Sequence, residues 1–321
     1  MKEIVRRLLE SDEPSIRYRA LVDVVGEGPG SPSAVRLRTR VRNSPRVRAL
    51  LSERARDGTI ARHPYAKWDG AHWVLAALAD LGYPPGDENL VPMREQVLKW
   101  LLSEDHARSI RTIDGRVRRC GSQEGNALHA MLALGLSDER ADELARRLIA
   151  WQWPDGGWNC DRDPAASISS FHETHVPLRA LALYAKSRRD REARDAARRA
   201  AEVFLRRRLF RRLRGGAIIA PDMVRLHFPS YWHYDVLVGL KTLAEAGFVR
   251  DARCREALDL VATKRTEDGG FPAEAKYYRV SRSGGAGRSA VDWGGVSARR
   301  ANPFVTVEAL SVLRRAGRLR P

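Results

Sequence analysis

Cysteine is scarce in this 321-residue chain: Cys120, Cys160 and Cys254 are its only three, and no two form a C-x-x-C pair. That count excludes a disulfide-stapled scaffold and predicts a reducing compartment. No run of about 18 apolar residues occurs, which excludes a simple membrane-spanning helix. The first residues, MKEIVRRLLE, carry charge where a secretory leader would carry an apolar stretch. We therefore read a soluble, cytoplasmic protein. Lysine is rare too: Lys2, Lys67, Lys99, Lys186, Lys241, Lys264 and Lys276 leave 57 − 7 = 50 arginines behind a net charge of +17. So one-sided a basic composition, spread along the whole chain, argues against a nucleic-acid partner and keeps an anionic membrane surface in view. The densest run, FLRRRLFRRLRGG at 204–216, stands at a predicted helix end, where cations oppose the negative end of the helix dipole.

With 43% hydrophobic residues, the chain can bury a large core, and we read it as one domain, 1–321. A turn signal recurs at Asp57-Gly58, Asp114-Gly115, Asp155-Gly156-Gly157, Gly215-Gly216 and Asp268-Gly269-Gly270. Each is followed by a strongly apolar segment, which defines an internal repeat of roughly 40–60 residues. The apolar segments begin near 68, 121, 170, 231 and 303, with 14–26 a less regular sixth member. Between them lie amphipathic stretches at 2–10, 32–56, 90–103, 138–152, 190–204 and 250–263. In 138–152, for example, Ala141, Leu144, Ala145 and Leu148 form one stripe. Strand signals are weak by comparison.

A helix that is apolar all round needs neighbours on every side, whereas a one-sided helix can face water. Alternating the two kinds predicts an all-α fold of inner and outer helices, an (α/α)6 toroid, with the N-terminal helix completing the outer ring. The ends of the inner helices then surround a central cavity.

At 152–158 the sequence reads QWPDGGW, and EDGGF at 267–271 is a degraded copy. This resembles the QW repeat of the terpenoid cyclase and protein prenyltransferase superfamily, specifically the single-domain bacterial proteins carrying prenyltransferase/squalene oxidase repeats. The resemblance implies the same (α/α)6 toroid and an isoprenoid or other apolar small molecule as ligand. Class II cyclases of that family protonate substrate with a D-x-D-D-T motif. Aligning its threonine with Thr174 puts Ser170, Phe171, His172 and Glu173 in the acidic positions, and no Asp-Asp pair exists in the chain. A squalene-type cyclase is therefore not expected. Prenyltransferases of the family hold zinc with Asp, Cys and His, which makes Cys160, Asp161, His172 and His175 the candidate set here; such a subunit also implies a protein partner.

The stretch SSFHETHVPLRALAL at 169–183 concentrates the candidates. Pro177 removes a helical N–H, so a helix N-capped at Thr174 is predicted, leaving His172 and Glu173 in the entering loop. Alternatively Ser170 and Glu173 form a capping box. Other inner-helix mouths offer Trp68, Asp69 and His72; Gln123 and Glu124; and Tyr231, Trp232, His233 and Asp235. Trp293 lies in a Gly-rich loop, 284–297, inside a segment 272–300 long enough to serve as a lid. Aromatics interleaved with His and carboxylates suit an apolar body with a polar or cationic part. We assign His172, Glu173, Asp69 and His72 to proton transfer and the aromatic rim to binding, with Arg17, Arg62 and Arg179 available to a diphosphate. Two other readings stand beside this one: a non-catalytic toroid that binds lipid or protein, and a carbohydrate-active enzyme pairing Asp69 with Glu124 or Glu173.

Overall fold

The computed structural model describes residues 2–281 and 286–319. The fold is mainly helical, as the periodicity predicts, with two short strand pairs. The helices are α1 (Lys2–Leu9), α2 (Pro14–Arg19, continued by a π-helical stretch, Ala20–Val25), α3 (Pro32–Arg42), α4 (Pro45–Leu50), α5 (Ala71–Leu81), α6 (Val91–Leu101), α7 (Glu104–Ser109), α8 (Gly121–Ala133), α9 (Arg140–Ala150), α10 (Phe171–Arg188), α11 (Arg191–Leu205), α12 (Val236–Glu245), α13 (Arg255–Thr263) and α14 (Pro303–Arg315). No described helix is long and apolar enough to cross a membrane.

Local chemistry sets the boundaries. Ser31, Ser44, Asp190, Asp235 and Asn302 each cap a following helix through a side-chain oxygen. The predicted 32–56 stretch breaks into α3 and α4 because Asn43-Ser44-Pro45 ends one helix and starts the next. The strand pair β1 (Arg111–Ile113) and β2 (Arg116–Arg118) closes on Asp114-Gly115, both with positive φ, the conformation a tight hairpin needs. The second pair, β3 (Arg279–Val280) and β4 (Arg288–Ser289), is parallel.

Two kinds of helix are evident. Every residue of α14 from Phe304 to Leu313 is buried, whereas α9 buries only Ala141, Leu144, Ala145 and Leu148. The enclosed helices pack in the order α2, α5, α8, α10, α12, α14, and α14 returns to α2 and its π-helical continuation. Against them lie the one-sided helices: α3 on α2, α6 on α5, α9 on α8, α11 on α10 and α13 on α12. Helix α1 packs on α2 and reaches the 267–271 turn through an Arg7–Asp268 ion pair at 3.2 Å.

The QW segment acts as a staple among these elements. Gln152 donates to the carbonyls of Gly156 and Ala196, tying α9 to α11, and the Trp158 indole donates to Leu148 O at 2.9 Å. Thr174 Oγ1 accepts from Trp158 N at 3.2 Å, and Ser170 N donates to Trp158 O. The degraded copy repeats this arrangement: Thr306 Oγ1 accepts from Phe271 N at 2.9 Å and Asn302 N donates to Phe271 O. Trp158 with Thr174 and Phe271 with Thr306 are thus equivalent clamps between a turn and the helix it feeds.

Below the N-terminal ends, the enclosed helices are laced by half-buried charges around the buried Glu308. Arg19 pairs with Glu308 at 3.2 Å, Lys241 with Glu308 at 2.5 Å, and Arg179 with Asp80 at 2.5 Å and with Glu245. Oxygen and nitrogen partners are shared so that no member is left without an opposite charge, the condition under which buried ions are tolerated.

Candidate active site

The N-terminal ends of α5, α8, α10 and α12 gather most of the candidates. Helix α10 begins at Phe171, so His172 and Glu173 lie in its first turn and not in an entering loop, and Pro177 sits inside the helix. The reason is Thr174, whose hydroxyl is engaged by Trp158 and is not free to cap. The capping box is also absent: Ser170 makes no side-chain cap bond, and Glu173 reaches across to α8.

There Glu173 Oε2 accepts from Ser122 N at 3.1 Å, and the Cys160 thiol points at Oε1 from 3.6 Å. Cys120, immediately before α8, completes a group with Cys160 and Glu173 in which the three ligand atoms lie within 4.8 Å of one another. Burial raises the Glu173 pKa. The Cys120 thiol is pushed up by its hydrogen bond with Cys160, then by burial and the Glu173 charge. Beside this group, Glu124 is fully buried and accepts from His106 at 3.0 Å and Arg119 at 3.3 Å, and Arg119 also donates to Gln123.

The expected zinc set is not brought together. Asp161 is exposed and bonds Asp163 N. His172 Nδ1 accepts from Tyr234 N at 3.1 Å, and His175 Nε2 meets Trp232 O at 3.2 Å. Burial lowers both imidazoles, His175 to about 3. Of the four, Cys160 alone joins the thiol–carboxyl group.

Two other proton-transfer candidates are otherwise engaged. Asp69 binds Arg288 at 3.0 Å and Arg62 at 3.3 Å. His72 is enclosed by Tyr65, Trp73 and Trp100, faces a void of about 10 Å³ between α5, α6 and α8, and has no partner for either ring nitrogen among the described residues. As the second residue of α5 it turns toward α6 and α8 and away from the mouth. Of the diphosphate candidates, Arg62 and Arg179 are held by carboxylates, while Arg17 Nε is buried without a partner among the described residues. Asp69 and Glu124, offered above as a sugar-cleaving pair, are each already neutralised by cations.

The aromatic rim is assembled. Trp68 stacks on Tyr231 at 4.1 Å, and Trp232, His233 and Tyr277 form a second stack at 4.1 and 3.7 Å. Lys67 stands 4.9 Å over Trp232 and 5.5 Å over Trp68. Asp235 caps α12 through Oδ1, and its Oδ2 lies 2.6 Å from His227 Nδ1. Trp293 is buried against Phe228 and Phe304. The 272–300 segment, apart from residues 282–285 outside the described residues, lies across the mouth. Tyr277 O accepts from the Trp68 indole, and Arg288 reaches Asp69 and Glu53. Gly284 and Gly285 of the 284–297 loop also lie outside the described residues.

Beneath the rim, Trp73, Tyr231, Trp293, Phe228 and Val176 meet Asp80, Arg179 and Lys241 around a central cavity of about 30 Å³. That is room for about one water, against the roughly 300–1,000 Å³ of a ligand pocket. Sequence reasoning missed Cys120, Arg119, His106, His227 and Tyr277. Cys120 had a usable signal, since it stands directly before the Gln123–Glu124 mouth. Compared with known proteins, the chain matches no family model, and no curated protein matches it significantly.

Proposed function

We propose that the chain is a single-domain (α/α)6 toroid of the terpenoid cyclase and prenyltransferase kind, an enzyme that takes an isoprenoid or other apolar small molecule with a polar end at the mouth of its inner helices. The cyclic order of helix contacts and the two equivalent turn clamps support the toroid. One observation carries the enzymatic reading: Cys120, Cys160 and Glu173, from three separate elements, converge on one point with their ligand atoms within 4.8 Å of one another. A buried carboxyl with a raised pKa keeps its proton closer to neutrality and can donate it, which gives Glu173 the part that the missing Asp-Asp pair plays in class II cyclases. The aromatic faces and Lys67 would hold the apolar body and its polar end. With a central cavity of only about 30 Å³, the ligand sits at the mouth, and entry requires the 272–300 segment to shift.

The test is native mass spectrometry of the purified chain with farnesyl diphosphate and farnesol as probes, followed by product analysis. One ligand per chain, weakened by Trp232→Ala and left unreacted by Glu173→Gln in folded protein, is the expected result. Absence of both binding and turnover sinks this reading. It would favour a non-catalytic toroid that binds lipid or protein through its basic surface, a reading the small, ion-paired central cavity supports.

A further inference from the structure

We infer that Cys120, Cys160 and Glu173 form a zinc site with three protein ligands and an open fourth position. The inference takes this mouth as the functional end from the proposed function and replaces the proton-donor part given there to Glu173, which as a zinc ligand is a carboxylate.

Tetrahedral zinc binds thiolate at about 2.3 Å and carboxylate at about 2.0–2.2 Å, so sulfur and oxygen ligands stand about 3.5 Å apart and two sulfurs about 3.8 Å apart. Here Cys160 Sγ lies 3.6 Å from Glu173 Oε1, and all three ligand atoms fall within 4.8 Å of one another. Small side-chain rotations close the set onto one ion. The carboxylate is already oriented for this: Ser122 N holds Oε2 at 3.1 Å and leaves Oε1 facing the thiol, the kind of supporting bond that fixes metal ligands. Backbone positions are fixed as well. Cys120 precedes α8, Glu173 is in the first turn of α10, and Cys160 follows the QW staple whose Trp158 is clamped to Thr174. Two thiolates and a carboxylate around Zn²⁺ leave one net negative charge, and Arg119 stands within electrostatic reach of Cys120 and Glu173. Two soft sulfurs select zinc over magnesium or calcium. Three protein ligands leave a position for water or substrate, which is the pattern of catalytic zinc and not of closed structural sites. Binding releases the thiol protons to solvent.

The experiment uses the full chain, reduced and stripped with a chelator, then titrated with Co²⁺ and, in competition with a chromophoric chelator, Zn²⁺. One ion per chain with a thiolate-to-cobalt charge-transfer band is expected. Cys120→Ser and Cys160→Ser should each weaken binding by more than about a hundredfold, and Glu173→Gln by about ten- to a hundredfold with the thiolate band retained. Cys254→Ser should change nothing, since Cys254 is buried and donates toward Phe248 O. Circular dichroism of each stripped variant separates lost ligation from lost folding. A folded, reduced chain with no thiolate band overturns the inference, as does a Cys120–Cys160 disulfide in purified protein whose reduction restores no metal uptake. Stoichiometric zinc without farnesyl binding would keep this site and sink the proposed substrate. Farnesyl binding by a chain that takes up no metal would do the reverse.

Discussion

His72 offers the most direct test of the packing argument. It is 2% exposed, neither ring nitrogen has a partner among the described residues, and burial lowers its pKa to about 3 from the ordinary 6.5. His175, also 2% exposed, is lowered to about 3 as well. A base whose folded pKa is depressed binds fewer protons folded than unfolded throughout the window between the two values. Stability is therefore complete above about pH 6.5 and is lost as pH falls toward about 3. At pH 5 an unfolded imidazole is nearly all protonated, so each such histidine costs about 2 kcal/mol, and the pair about 4 kcal/mol if independent. The raised pKa of Glu173 acts in the opposite direction above its ordinary 4.5, which makes the absolute slope a poor measure. His72→Leu isolates one histidine. At pH 7.5 the variant should be as stable as the parent or more so, because two unpartnered polar atoms leave the interior. By pH 5 it should gain a further advantage of about 2 kcal/mol. Urea unfolding at five or six pH values, read as midpoints at constant slope, measures both. If His72→Leu loses more than about 1 kcal/mol at pH 7.5 and keeps the parental pH dependence, the imidazole has a partner and the reasoning fails.

Three other substitutions probe separate parts of the molecule. A Cβ at Gly157 would overlap the Thr174 hydroxyl and approach the Ser169 side chain to 2.7 Å, so Gly157→Ala should cost about 1–3 kcal/mol; an unchanged melting temperature would deny the clamp its tightness. Asp80→Asn removes the carboxylate shared by Arg179 and Lys241, which keep Glu245 and Glu308 as partners, and should cost about 1–3 kcal/mol in urea unfolding, a loss below about 0.5 kcal/mol meaning that water reaches the network. Arg288→Ala frees the segment tied to Asp69 and Glu53 and should expose new protease cuts within 272–300 while the core remains intact; continued protection would place the tie elsewhere.

What the sequence disclosed follows from what each pattern can encode. Helix type was legible because enclosure leaves a local record: α14 is apolar nearly all round and α9 along one stripe, and both are buried accordingly. The turn signals were legible for the same reason, although only the fold reveals that QWPDGGW and EDGGF feed matching threonines, Thr174 and Thr306. Boundaries were less so. Pro177 argued for a late start to α10, but the Thr174 hydroxyl that would have capped it is engaged by Trp158, sixteen residues earlier. The site was the least legible part, because its members meet through tertiary packing. His172 and His175 share the i, i+3 spacing of a ligand pair, yet one ring nitrogen of each is taken by the 232–234 backbone. Cys160 and Glu173 instead meet Cys120, forty residues before Cys160, whose one local signal is its place directly ahead of the Gln123–Glu124 segment and whose partners only the fold supplies. Two of the three groups, Cys160 just after the staple and Glu173 on the helix it clamps, are positioned by the QW segment, so the repeat that looks purely structural helps to set their distance at the mouth. That gives Gly157→Ala a second readout: a variant that folds but has a loosened clamp should bind Co²⁺ more weakly than the parent even though it alters no ligand, whereas undiminished affinity would uncouple the repeat from the site.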